Sequence, residues 1–371
     1  MKKKLAYLLL ACSLVLGLVA CGNKEEEAPV VEEPVVEDTV TVEEPEVEEE
    51  PVVVEEEVRE GMYRSELTNE WIDESLKDQR PVAVMIDNEK IALPHYGISE
   101  ADIVYEMMNS TANDYITRFM VLVKDWDSIE RLGSIRSTRT TNLQLAPEWN
   151  AIVCHDGGPF YIDMFLANPY VDNLNGGFAR IENGKPREFT EYITTGEVRK
   201  RLENNGISTQ YNEYYQGHGS HFQFASEANP IDLSTASDAI DATNIELPFE
   251  HNGSCLEYMP ETNTYRYSEY GAEYKDALNG NHLEFTNVVI QECKFEQLDD
   301  NGYMNFFVKD SAGMQGYYIT GGKAIPVTWS KQDDIYPTKF YDAAGNEITL
   351  NTGKTYIALV GPEFWDSLVV E

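Results

Sequence analysis

Apolar positions fall into short runs separated by turn residues. "RPVAVMIDN" (80–88), "ADIVYEMM" (101–108) and "YITRFMVLVKD" (115–125) each read as a buried strand, and "NAIVCHDGGP" (150–159) reads as a strand entering a glycine turn. Helical spacing shows at 138–146, where Leu143 and Ala146 face inward and Pro147 stops the helix, and at 195–206, where Gly206 provides the C-terminal stop. Strands interleaved with helices predict an α/β-type domain with a mixed sheet over 61–235.

The later chain has a different texture. The runs 283–295, 303–310, 314–331, 339–350 and 355–360 are β-branched and aromatic, and Asp342–Asn346 is a hairpin-loop sequence. They predict a mostly antiparallel β domain over 245–371. Between them, 225–248 is rich in Ala, Ser, Asp and Thr without a period, and the domain boundary is placed there. The fold class expected is α+β.

The N-terminus follows neither pattern. Lys2, Lys3 and Lys4 precede an apolar run that ends at Leu18-Val19-Ala20-Cys21. The run falls short of the roughly 18–20 residues needed to cross a bilayer, and small residues precede the cysteine. Residues 1–20 therefore read as a bacterial lipoprotein signal, with Cys21 lipidated as the first mature residue. Two acyl chains on Cys21 (palmitate and the like) give stable anchoring, so the chain is expected outside the cytoplasm, held at the cell membrane. Residues 21–60 follow as a spacer of Glu, Pro and Val. Over 24–60, seventeen acids oppose only Lys24 and Arg59, a composition that cannot build a core and stays extended.

Charge then narrows the partners. The formal net charge is -37, and residues 61–371 alone carry -25. So negative a surface argues against nucleic acid or an anionic membrane surface as a general partner, since both need a positive face. Cys154, Cys255 and Cys293 are odd in number and widely spaced, as befits buried thiols, although a disulfide among them stays open.

The sequence has no Walker A loop, no GxGxxG after a strand, no HExxH and no GxSxG. His218 and His221 in "GHGSHF" have the spacing of a metal-binding pair, or simply occupy a solvated loop. Cys154 and His155 are strand neighbours pointing to opposite faces, which suits no thiolate–imidazole pair. His155-Asp156-Gly157-Gly158 could turn its N–H groups outward as an anion nest. The densest feature is "RLGSIRSTRT" (131–140), with Arg136 and Arg139, and Arg118 on a neighbouring strand. If Ser137 or Thr138 caps the following helix, these guanidiniums and the helix N–H groups converge on a site for phosphate or pyrophosphate. The competing reading pairs them with Asp102, Glu106, Asp125 or Glu130.

"RPVAVMIDN", "GISEADIVYE", "ITRFMVLV", "LGSIRSTR" and "HDGG", with "YRYS", "FTNVVIQ", "GGKAIPVTWSK" and "FYDAAGNEITLNTGKTYIALV" further on, stand in the order and spacing of the YerB-like family of bacterial lipoproteins, which this chain resembles over nearly all of 78–361. That family consists of two domains of unknown function, so the resemblance implies architecture and localisation but no reaction. The chain departs from it with "NSTANDYITR" where "EGGITR" is usual, and with Ser134-Ile135-Arg136 where Pro-Val-Arg is usual. The order of an Asp before a strand, "SIRS" opening a helix and a later "GGP" is also similar to envelope phosphotransferases of the LytR-CpsA-Psr type. That likeness implies Arg136 and Arg139 on the pyrophosphate of a polyprenyl-linked substrate and Asp102 on Mg²⁺.

Three functions follow as expectations. The first is a lipid-anchored envelope accessory module that binds an anion. The second is a glycopolymer phosphotransferase using the same arginines. The third is a protein-interaction scaffold that engages a partner through Tyr265, Tyr267 and Tyr270.

Overall fold

The structure, a computed structural model, describes residues 58–215, 218, 220–309 and 314–371. The expected signal, Cys21 and the spacer up to residue 57 lie outside the described residues. No helix among those described is long and apolar enough to cross a membrane.

One eleven-stranded sheet organises the fold. Its strands in chain order are β1 (Val82–Asp87), β2 (Ile103–Met108), β3 (Thr117–Val123), β4 (Ile152–His155), β5 (Asn173–Asn175), β6 (Ile240–Asp241), β7 (Asn287–Glu292), β8 (Met314–Thr320), β9 (Lys323–Ser330), β10 (Lys339–Tyr341) and β11 (Thr355–Val360). The spatial order is β6-β9-β8-β7-β11-β2-β3-β1-β4-β5, with β10 on β9. Strands from both halves of the chain thus share one sheet. The seam is β11, parallel to β7 on one side and to β2 on the other. Its sequence "TYIALV" is buried at all six positions, the near-continuous apolar run of a strand covered on both faces.

The sheet is mixed on the N-terminal side, where β1 and β3 run antiparallel and β1 and β4 parallel. On the C-terminal side β7, β8 and β9 pair antiparallel. Gly321 and Gly322, at φ +61° and +75°, turn β8 into β9 in the two-residue geometry that favours glycine. A second, six-stranded antiparallel sheet includes Cys255–Met259 and Thr264–Glu269. In the latter, Tyr265, Tyr267 and Glu269 point inward and alternate with half-exposed Thr264, Arg266 and Ser268. Tyr265 and Tyr267, expected as exposed contacts, are fully buried.

Two helices border the site, α1 (Thr140–Leu145) and α2 (Asp163–Leu166), and a third, α3 (Glu197–Asn205), forms where the 195–206 spacing placed one. α1 ends at Leu145, ahead of Pro147 as expected, and the chain continues as a 3-10 turn, Ala146–Trp149, that contains the proline. That turn tolerates proline because its first N–H groups need no intrahelical partner.

Candidate functional site

Strand alternation sorts the polar residues at one corner of the sheet into two groups. Asp87 and Arg118 are direct cross-strand partners and share a face, while Glu106 opposite Phe119 belongs to the other face together with Thr117. The corner therefore carries one polar centre on each side.

On the first side, Asp87 is fully buried. It forms an ion pair with Arg136 and lies 3.5 Å from the Arg118 guanidinium. Burial opposes its ionisation, yet Arg118 and Arg136, with the Glu89 N–H, hold it below the usual carboxylate range. Arg136 also reaches the exposed Glu188 at 3.2 Å. Arg118 donates to the Ser137 carbonyl at 2.9 Å and to Asn109 Oδ1 at 3.3 Å, and its Nε is buried without a partner.

Arg139 differs from both. It donates to the Thr138 carbonyl at 2.9 Å and lies over the Tyr303 ring at 4.6 Å, and its Nε is a second buried donor without a partner. No salt bridge to Arg139 occurs among the described residues. Burial first, then the charge of Arg118 with that of Arg136, pushes its ionisation down to about 9. Three cations therefore meet around one buried carboxylate and one exposed one, and Arg139 is left over. The acids expected to pair with them, Asp102, Glu106, Asp125 and Glu130, do not; Asp87 and Glu188 do.

The loop that carries these arginines is braced by the turn after β4. Ser137 Oγ donates to the Asp156 carbonyl at 2.8 Å, the Thr138 N–H to the Gly157 carbonyl at 3.1 Å and the Asp156 N–H to the Arg136 carbonyl at 3.0 Å. His155 is buried, with Nδ1 2.8 Å from the Gly157 carbonyl and Nε2 3.3 Å from Asn173 Oδ1. The Gly157 N–H is taken by Asn175 Oδ1 at 2.9 Å. His155, Gly157 and Gly158 thus sit beside the arginines as a brace, with no open nest at Gly157. A Cβ at Gly158 would lie 3.1 Å from the Thr138 carbonyl and 2.3 Å from Ile162, so the close approach needs glycine.

The helix cap expected at Ser137 or Thr138 falls instead on Arg139, whose N–H is accepted by Asn142 Oδ1 at 3.0 Å. α1 is six residues long and buried throughout, so its N–H groups do not line the site. Asp102 does not join the arginines either. It precedes β2, whose Met107 is level with Arg118 while Ile103 is level with Leu122. Some five residues of strand, ~16 Å, separate them. There Asp102 accepts the Lys124 N–H at 2.6 Å, and burial pushes its carboxyl up to about 7. His221 stacks on Trp149 at 3.4 Å, with Nε2 3.4 Å from Glu148 Oε2. The thiols of Cys154, Cys255 and Cys293 are free.

On the opposite face lies a centre the sequence reading missed. Glu106 Oε1 accepts from Thr117 and Asn252 at 2.8 Å, Ser254 at 2.9 Å and Asn88 at 3.1 Å. Its Oε2 accepts from the hydroxyls of Tyr267 and Tyr356. A second buried carboxyl, Glu269, shares Asn252 and Tyr267 with it. Burial first, then the charge of Glu106, pushes Glu269 up to about 8, so Glu269 keeps its proton at neutral pH. Glu269 Oε1, Asn88 Oδ1 and Asn252 Oδ1 are buried without partners; a proton on Glu269 gives one of those acceptors a donor. Glu106 and Thr117 come from the first half of the chain, and Asn252, Ser254, Tyr267, Glu269 and Tyr356 from the second.

Comparison with known proteins agrees with this two-part construction. Residues 67–208 match the family model "Protein of unknown function (DUF3048) N-terminal domain", and residues 245–357 match that of the DUF3048 C-terminal domain. A Bacillus subtilis (strain 168) protein described as "Putative lipoprotein YerB" is 25% identical over 310 residues, 80% of this chain and 86% of that protein. A crystal structure of the YerB protein from Bacillus subtilis superposes with a TM-score of 0.69 at 21% identity, covering 83% of this chain and 99% of that one.

Proposed function

This chain belongs to the two-domain DUF3048 family, and on that footing we propose that it is an extracytoplasmic, lipid-anchored module that binds a phosphate-type anion through Arg118, Arg136 and Arg139. The observation that carries the reading is Arg139. A guanidinium largely removed from water, without a carboxylate and beside two other cations, is costly unless an anion completes it. Guanidinium forks match phosphate oxygens in pairs, so phosphate or pyrophosphate is the natural complement. His155, Gly157 and Gly158 serve by holding the 136–139 loop in place. The catalytic alternative draws no support from the position of Asp102, so Mg²⁺ has no assigned role.

Titration with inorganic pyrophosphate, followed by NMR of the arginine Nε–H groups, tests the reading. The Arg139 signal is expected to shift and saturate. Arg80, whose Nε–H is bonded to the Asn150 carbonyl at 2.7 Å, provides the internal control. Equal, non-saturating drift of both signals would remove the anion site. Anchoring is tested apart from this: Cys21→Ser is expected to move the protein from the membrane fraction to the soluble fraction, and unchanged fractionation would contradict lipidation.

A further inference from the structure

Two large apolar side chains stand exposed next to the arginine site. Phe160 is 73% exposed and Met164 72%. They are four residues apart on the turn and short helix that follow Gly158, where Ile162 is buried and Phe165 and Leu166 pack on the core. The inward positions hold the segment in place while Phe160 and Met164 face solvent.

This ledge is continuous with Arg139. The Thr138 N–H donates to the Gly157 carbonyl at 3.1 Å, three residues before Phe160. From the other direction Phe160 lies against Tyr161, ring centroids 4.0 Å apart. The Tyr161 hydroxyl donates to the Leu298 carbonyl at 3.3 Å, and the Leu298 N–H to the Tyr303 carbonyl at 2.7 Å. Tyr303 is the ring under Arg139. The acids nearby are Asp163 on the helix and Asp299 and Asp300 on the loop beside Tyr161; Asp299 Oδ1 accepts the Asn301 N–H at 3.0 Å.

A cation lacking a carboxylate and an apolar ledge beside it form a surface with two chemistries. We infer that the anion bound at Arg118, Arg136 and Arg139 is the phosphate of an anionic lipid, whose hydrocarbon rests on Phe160 and Met164. This rests on the anion-binding reading and adds the class of ligand. Apolar side chains so exposed are ordinary one at a time; paired at helical spacing beside an unmatched guanidinium they fit an amphiphile.

The test uses the full-length chain carrying Cys21→Ser, so that its own anchor does not bring it to vesicles. Sedimentation is measured with phosphatidylcholine vesicles, with and without a minor fraction of phosphatidic acid, and calorimetry with inorganic pyrophosphate separates a free phosphate from a headgroup. Binding only to the phosphatidic acid vesicles is expected. Phe160→Ser with Met164→Ser should weaken vesicle binding about tenfold, the equivalent of losing one modest apolar contact, and leave pyrophosphate affinity unchanged. Arg139→Ala should remove both. If the double variant binds vesicles as the parent does, or the parent binds pyrophosphate but ignores phosphatidic acid, the lipid inference fails and the anion site stands. If neither probe binds, both fail.

Discussion

Asp87 serves two guanidiniums from a site without solvent access, and its replacement should be felt in the fold before it is felt at the surface. Asp87→Asn leaves the buried Arg118 without its counter-charge and is expected to cost about 3 kcal/mol in denaturant unfolding. Because Asp87 is held below the ordinary carboxylate range, the stability it contributes is present above about pH 4 and lost as pH falls toward its lowered value. Glu269 works in the opposite sense. Facing it are Glu106 from β2 and the phenols of Tyr267, Tyr270, Tyr274 and Tyr356. Its carboxyl keeps its proton in the folded state up to about pH 8 and loses it in the unfolded chain above about pH 4.5. Stability should therefore fall as pH rises from about 5 to 8, by at most ~1.4 kcal/mol per unit for one proton. Glu269→Gln, an amide at every pH, should flatten that slope in urea titrations; an unchanged slope would deny that Glu269 keeps its proton. The arginine cluster was legible in the sequence because cations are scarce in so acidic a chain. Their partners were not: pairing depends on which residue lies across the strand, and Asp87 closes "RPVAVMID" with nothing in its neighbourhood to announce a buried charge.

At the scale of elements, the site is a contact between two turns, 136–139 and 155–158. Gly158→Val would push a branched side chain against the Thr138 carbonyl and Ile162. The expected result is a pyrophosphate affinity lowered roughly tenfold, about 1.4 kcal/mol, with the circular dichroism of the sheet unchanged; unaltered affinity would show that the brace does not position the arginines. The strands that were easiest to read are those buried on both faces, β1, β2, β3 and β11, since continuous apolar runs with turn signals leave little choice. The hairpin 255–269 was missed because, apart from Leu256, its buried residues are tyrosines and a glutamate, which residue type alone assigns to the surface. Tyr267 donates to Glu106 and Tyr265 to the Ala242 carbonyl, so two of the three tyrosines expected on a scaffold surface are not exposed. The helix cap failed for a related reason: Ser137 and Thr138 are good cap residues, but the Ser137 hydroxyl is engaged by the adjoining turn and that of Thr138 by the Arg139 carbonyl.

At the scale of the whole molecule, the two family domains are distinguishable in sequence yet joined by hydrogen bonding. β11 comes from the second and completes the sheet between β7 and β2, and Tyr356 on it reaches Glu106 in the first. No pattern within one segment could reveal that, because parallel pairing across some 250 residues leaves no local signal. Thermal unfolding is thus expected as one transition, with equal calorimetric and van't Hoff enthalpies. The N-terminal part expressed alone to residue 240 should fail to fold, since β2 would become an edge with a bare apolar face. Two resolved transitions would separate the domains.

On the proposed reading, the leftover cation at Arg139 awaits an anion from outside the protein. Isothermal titration of the parent and of Arg139→Ala with pyrophosphate, at low and high salt, tests it most directly. Saturable, one-to-one binding is expected that weakens with salt and vanishes in Arg139→Ala while the melting temperature stays the same or rises. Binding of equal strength in both proteins, or none in the parent, would contradict it.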